Sequence, residues 1–356
     1  MNVRIPILGL LGLLMVLFSG PLSATPLPPH QRAPSPMMLP RLFAQATQLA
    51  NATKIAYFAG NVGVSNPTTS RIYKFLPSGA LDSFSYTFSG ALGFDVGNFS
   101  TTAGSNPLWV WKYVASDFGV IGYIANSFGQ SLNQPWDTFD MCSFTAIGCN
   151  FAPPYNRVTE VDFSVNTARL LLFEQNTGRI LWTPAQQPIN TLFDMGTIIY
   201  PANYLPQNQG ETLRHIAADP HSDLFYFASS SYIFSGAVYA PNSASLLLSR
   251  AQIIAATGVP GVSISGFTTD GQQLFFYDTI SATLYRADMT TPTIQIHPVM
   301  TQAQIQALTG NTNGLVVQDI DVELNPTTGL ARSIFLLDGL ANTSGRGSLV
   351  QIFVGP

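Results

Sequence analysis

Residues 263–300 read SISGFTTDGQQLFFYDTISATLYRADMTTPTIQIHPVM. Ser263–Thr269 alternates polar and apolar side chains and runs into the turn pair Asp270-Gly271. An apolar-aromatic run, Leu274–Asp278, follows; then come a third segment at Ala282–Ala287 and a fourth at Thr293–Ile296. Period-2 alternation punctuated by Gly, Pro, Asp and Ser is the pattern of short antiparallel strands, not of helices.

Working outward, the same unit recurs. Apolar-aromatic second strands begin near Ile55, Leu108, Leu170, Leu224, Leu274 and Ile334, at spacings of 53, 62, 54, 50 and 60 residues. Third strands follow at Arg71-Ile-Tyr-Lys-Phe, Gly119-Val-Ile-Gly-Tyr-Ile, Gly178-Arg-Ile-Leu-Trp, Gly236-Ala-Val-Tyr, Thr283-Leu-Tyr-Arg and Ser348-Leu-Val-Gln-Ile-Phe. A period of this length with four strands per unit predicts an all-β fold, a six-bladed β-propeller of four-stranded blades. The sixth unit ends just after its third strand, so residues within 37–50 are expected to supply the missing strand and close the ring; a short helix there is the competing reading. Helical spacing at 251–257 and 301–308 predicts two short helices in loops.

The composition bounds what such a chain can do. It has 356 residues, 10 % of them charged, 46 % hydrophobic, and a formal net charge of −4. With 15 Lys and Arg against 19 Asp and Glu and no basic run, there is no footprint for nucleic acid. Residues 1–24 pattern as a secretory signal: Arg4 supplies the charged start, Ile7–Phe18 the apolar run, and Leu22-Ser23-Ala24 the small-residue cleavage site. A retained anchor is the alternative, but Gly20 and Pro21 end the run short of the roughly 20 residues a span needs. No later stretch approaches a membrane span. Six prolines in residues 25–40 describe an extended tether, leaving 41–356 for the propeller. The expected location is therefore secreted or periplasmic, where Cys142 and Cys149 are expected to form a local disulfide clasping an insertion.

Several segments resemble the yellow / major royal jelly protein family. They are Leu224-Phe-Tyr-Phe-Ala-Ser-Ser-Ser, Gly236-Ala-Val-Tyr, Ser245-Leu-Leu-Leu-Ser, Gly261-Val-Ser-Ile-Ser-Gly-Phe-Thr-Thr-Asp-Gly-Gln-Gln-Leu-Phe-Phe and Gly122-Tyr-Ile-Ala-Asn-Ser. The similarity spans about residues 115–340. The family's Ser-Trp-Arg stretch and most of its cysteines are absent. The resemblance implies a secreted six-bladed propeller, with amine binding in the central channel or dopachrome conversion as the activities found among such proteins. No ligand-contacting residue carries over one by one. The strand residues are similar as well to gluconolactonase-like, NHL and LDL-receptor-type propellers.

The innermost strands align as Gly93-Phe-Asp95, Glu160-Val-Asp162, His215-Ile-Ala217, Gly266-Phe-Thr268 and Asp319-Ile-Asp321. Alternation places Phe94, Val161, Ile216, Phe267 and Ile320 on the face between blades, and Asp95, Glu160, Asp162, His215, Asp319 and Asp321 on the face toward the channel. Crowded carboxylates need a cation, a proton or hydrogen bonds. One reading is a cation site: an organic ammonium, or Ca²⁺ or Mg²⁺ held by Glu160, His215 and Asp319. The other is that each Asp bonds the neighbouring blade's amides and His215 is a satisfied buried histidine. H-E-x-x-H, G-x-S-x-G, P-loop and G-x-G-x-x-G patterns are absent. Three functions follow: a secreted binder of a small cationic ligand or metal, a metal-dependent lactonase-like hydrolase or dopachrome-type isomerase using Glu160 or His215 as acid–base, and an interaction scaffold with a structural channel.

Overall fold

In the computed structural model of the chain, the described residues are 39–58, 60–87, 91–96, 108–114, 117–124, 137–140, 158–164, 169–174, 179–184, 193–197, 213–238 and 240–355. The signal segment 1–24, the tether up to residue 38, and both Cys142 and Cys149 lie outside them.

The strands assemble into six four-stranded antiparallel sheets, nearly all in simple chain order. Strand β1 (Arg41–Ala46) comes first. The first sheet holds β2 (Lys54–Phe58), β3 (Asn61–Asn66), β4 (Arg71–Phe75) and β5 (Leu81–Thr87). The second holds β6 (Ala91–Val96), β7 (Leu108–Val114), β8 (Asp117–Ile124) and β9 (Asp137–Asp140). The third holds β10 (Val158–Ser164), β11 (Arg169–Glu174), β12 (Arg179–Pro184) and β13 (Phe193–Thr197). The fourth holds β14 (Leu213–Ala218), β15 (Leu224–Ser229), β16 (Ile233–Ala237) and β17 (Ala240–Leu248). The fifth holds β18 (Ile264–Thr269), β19 (Gln273–Asp278), β20 (Thr283–Asp288) and β21 (Gln295–Thr301). The sixth combines β22 (Val317–Leu324), β23 (Ala331–Asp338) and β24 (Gly347–Phe353) with β1, which pairs antiparallel on β24. Each sheet's first strand lies beside the first strands of its two neighbours, in the cycle β2, β6, β10, β14, β18, β22 and back to β2. This is an all-β propeller of four-stranded antiparallel blades.

Two strand assignments from the sequence need correction. The Ile55 segment is the innermost strand of its sheet, and Asn61–Asn66 is the second. The residues of β2 are as apolar as those of the true second strands, so hydrophobicity alone does not separate the two positions. The third strand of the fourth sheet is Ile233–Ala237, so Gly236-Ala237 ends it rather than beginning it. The two loop helices are α1 (Arg250–Thr257) and α2 (Gln302–Thr309). Ser249 and Thr301 open them with capping boxes, and Gly258 and Gly310 end them in left-handed conformation.

The core runs along the seams between sheets. Ile320 packs with Phe275, Tyr277 and Leu284 of the fifth sheet, and Phe267 with Tyr226 and Ile233 of the fourth. The seam between the sixth and first sheets joins Phe43, Phe335 and Leu349 to Ile55, Val64 and Phe75. Phe43 brings β1 into that seam, meeting the Phe335 ring edge-on at 5.0 Å. Gly79, at φ +81°, turns tightly against it; a Cβ there would sit 1.9 Å from the Phe43 carbonyl oxygen.

Phe43 is 8 % exposed whereas Leu42 beside it is 37 % exposed. Phe43→Ala should therefore cost about 3 kcal/mol and Leu42→Ala about 0.5 kcal/mol in urea unfolding. Equal losses would mean that β1 does not anchor the seam.

Candidate functional site: the channel lining

A β-bulge interrupts the pairing of five inner strands near their start: between Ala91 and Gly93, Val158 and Glu160, Leu213 and His215, Ile264 and Gly266, and Val317 and Asp319. The residues after the bulge, Gly93, Glu160, His215, Gly266 and Asp319, therefore occupy equivalent positions. Asp95, Asp162, Ala217, Thr268 and Asp321 lie two residues further along. Nothing in the local sequence announces these bulges, which re-aim the following side chains.

His215 and Asp319, on the fourth and sixth sheets, are both buried and come together, Nδ1 to Oδ1 at 4.0 Å. The strand between them carries Gly266 at the equivalent position and sends no side chain in. That separation is an ion-pair distance but too long for a hydrogen bond. Burial, reinforced by the positive charges of Lys54 and Arg214, holds the His215 imidazole well below its ordinary value, so it is neutral.

The carboxylates are committed to backbone. Asp319 accepts the Ile55 N–H at 3.2 Å through Oδ2 and the Ile320 N–H at 3.0 Å through Oδ1. Asp321 accepts the Tyr57 N–H through Oδ2, and through Oδ1 the Val322 N–H at 2.7 Å and the Thr268 hydroxyl at 3.4 Å. Asp162 accepts the Ala218 N–H. Each of the three thus reaches the first strand of the next sheet. For these three aspartates the bonds are the neighbouring-sheet amide contacts of the second reading. The side chains of Asp95 and Glu160 lie outside the described residues, so only their strand and register positions are given. Among the described residues no three His, Cys, Asp or Glu side chains converge as a metal-binding group.

One contact across the ring escapes sequence reasoning. His221, in the β14–β15 turn, reaches across to the β22–β23 turn and lies 2.9 Å from the Gly329 carbonyl oxygen through Nε2. Gly329, at φ +72°, has no room for a side chain: a Cβ would fall 2.4 Å from His221 Cε1. Asp219 accepts the His221 N–H at 2.8 Å, and Asp270 of the intervening sheet accepts the Ala331 N–H at 2.8 Å. Three inner turns are thereby tied together at one end of the channel. The His221–Gly329 contact spans 108 residues and leaves no trace in local spacing.

No family model matches the chain, and no curated protein does. Solved structures do. A luciferin-regenerating enzyme aligns with a TM-score of 0.54 at 9 % identity, over 86 % of this chain and 92 % of that one. A putative oxidoreductase (glucose dehydrogenase) of Thermus thermophilus aligns at 0.51 and 10 % identity, over 89 % and 98 %. The β-propeller domain of Swd1 from Myceliophthora thermophila aligns at 0.48 and 8 %, over 84 % and 83 %. At these identities the first two likenesses establish the fold alone. The yellow-family resemblance gains no support from any of the three comparisons.

The neutral state of His215 has a pH consequence. In the unfolded chain it takes a proton below about pH 6.5, and in the fold it does not, so the unfolded state binds more protons. Stability should then fall as pH drops below that value, by up to about 1.4 kcal/mol per pH unit from this group. Urea unfolding of the chain and of His215→Gln between about pH 7 and pH 5 tests this. The variant should be less acid-sensitive; an unchanged difference would show that His215 is protonated in the fold.

Proposed function

We propose that the protein is an exported interaction scaffold, a six-bladed ring closed by β1, whose channel acids serve structure and whose loops meet its partners. The observation that carries this reading is the use of Asp162, Asp319 and Asp321 as acceptors for the next sheet's amides. A carboxylate engaged by two or more N–H donors is already stabilised as an anion and needs no bound cation to persist. Export rests on the signal-like residues 1–24, and a disulfide between Cys142 and Cys149 belongs with it.

A second reading keeps the channel as a cation site. The 4.0 Å approach of His215 to Asp319 and the equivalent register position of Glu160 favour it. A small ammonium compound, Ca²⁺ or Mg²⁺ would be the ligand, with hydrolase or isomerase chemistry as an extension. The amine-binding and dopachrome activities implied by the yellow-family resemblance agree with that reading, as do the enzyme names of two fold neighbours.

Calorimetric titration with tyramine and with Ca²⁺, on the full chain and on Asp319→Asn, separates the two. The scaffold reading expects no saturable heat from either ligand, and a stability loss of about 1–3 kcal/mol in Asp321→Ala, which leaves two amides without their acceptor. Saturable heat that disappears in Asp319→Asn would replace it with the cation site.

A further inference from the structure

Charged side chains divide unequally between the two ends of the ring. The inner strands run the same way: Asp319 meets Ile55 and Asp321 meets Tyr57, so β22 and β2 are parallel, and His215 beside Asp319 extends the alignment to β14. Within each sheet the strands alternate in direction. First and third strands therefore begin at one end, where second and fourth strands finish, and the connections carrying α1 and α2 lie at that end too. Lys54 and Arg71 open β2 and β4, Arg214 follows Leu213 at the start of β14, Arg250 opens α1, and Arg346 precedes β24.

Arg71, Arg214, Arg250 and Arg346 are exposed, and no described carboxylate pairs with any of the four. The acids whose side chains are described at that end are Asp278, Asp319 and Asp338. Each is at most 8 % exposed and accepts backbone N–H groups. At the other end Lys74 holds Asp82 at 2.7 Å and Arg332 holds Glu323 at 3.2 Å.

The basic residues also follow a line across the face. Arg250 and Arg214 belong to the end of the fourth sheet. Beyond burial, Lys54 and Arg214 hold the His215 imidazole low, so both lie near the channel mouth, one from the first sheet and one from the fourth. Asn66, the cross-strand partner of Arg71, donates through Nδ2 to the Gln48 and Ala50 carbonyls at 2.8 Å, and the Gly347 backbone lies against Leu49 and Ala50. Arg71 and Arg346 thus flank the loop that follows β1.

We propose that this end of the ring docks an acidic, extended segment of a partner protein, laid across the channel mouth from α1 to the loop after β1. The proposal rests on the scaffold reading and names the chemistry of its partner. Guanidinium groups suit carboxylates because two parallel N–H groups meet the two oxygens. Each exposed pair contributes little, so several must act together along one segment. The arginines stand singly on separate elements, which suits carboxylates spread along a peptide better than the continuous phosphate row of a nucleic acid. A formal net charge of −4 opposes adsorption on a uniformly anionic surface, whereas the local positive end steers an acidic segment to this face.

The test is fluorescence anisotropy of a labelled peptide of alternating Glu and Ser, titrated with the full chain beside an alternating Lys and Ser peptide and single-stranded DNA. The acidic peptide should bind saturably and the basic one should not, and affinity should fall at least about tenfold between about 50 and about 200 mM salt. Arg214→Glu combined with Arg250→Glu should lose about tenfold or more, as should Arg71→Glu combined with Arg346→Glu. Arg41→Gln, exposed at the other end, should leave binding unchanged. If a charge-reversed pair fails to fold, the acidic-over-basic preference and salt dependence of the unmodified chain still read out the proposal. No saturable binding of the acidic peptide, tighter binding of the basic peptide or of DNA, or undiminished binding by both folded pairs would each overturn it. Such a failure leaves the scaffold reading standing, because that reading turns on the titrations with tyramine and Ca²⁺.

Discussion

Each inner strand of a propeller has one edge paired to its own sheet and another facing the next sheet without a ladder. The N–H groups along that second edge must find acceptors or the ring loses their hydrogen bonds to burial. Here the acceptors are side-chain carboxylates. Asp319 and Asp321 each divide their oxygens, one bonding an amide of their own strand and one an amide of β2. Asp162 plays the same part toward Ala218. Aromatic and aliphatic seams supply the bulk of the burial, while these carboxylates set which residue of one sheet lies against which residue of the next.

The same pattern recurs at the ends of the second strands. Asp278 is fully buried and accepts from Ser263 N–H at 2.7 Å and Ser281 N–H at 3.0 Å, which joins the incoming loop to the turn. Asp338 takes the equivalent place, accepting from Val316 and Leu340 N–H groups, and burial raises its carboxyl above the ordinary range. Asn66 fills this role in the first sheet, for Thr68 and Thr69. In a chain with only 19 acids, many described carboxylates are therefore turn and seam acceptors. That is why acidity on the inner strands does not by itself point to a ligand.

Strand type and spacing are legible because alternation is a local property of the chain. The inner strands from Gly93 to Asp319 align in the fold as they do in the sequence, and the buried faces of Ile216, Phe267 and Ile320 follow from the pleat. The Ile55 strand is misread from sequence because its residues satisfy the pattern of a second strand; only its neighbours in space identify it as innermost. The candidate site is half legible. Its equivalent positions can be named from the sequence, but the bulges before them, the long His215–Asp319 separation and the His221 tie cannot.

By itself the sequence determined the four-strand unit, its recurrence and the two short loop helices, because all of these depend on neighbours a few residues apart. Tertiary structure alone decided what the polar groups do. The amides satisfied by Asp319 and Asp321 lie 264 residues away along the chain. Whether a charge is matched or left over depends on such distant partners, and no periodicity in the sequence records them.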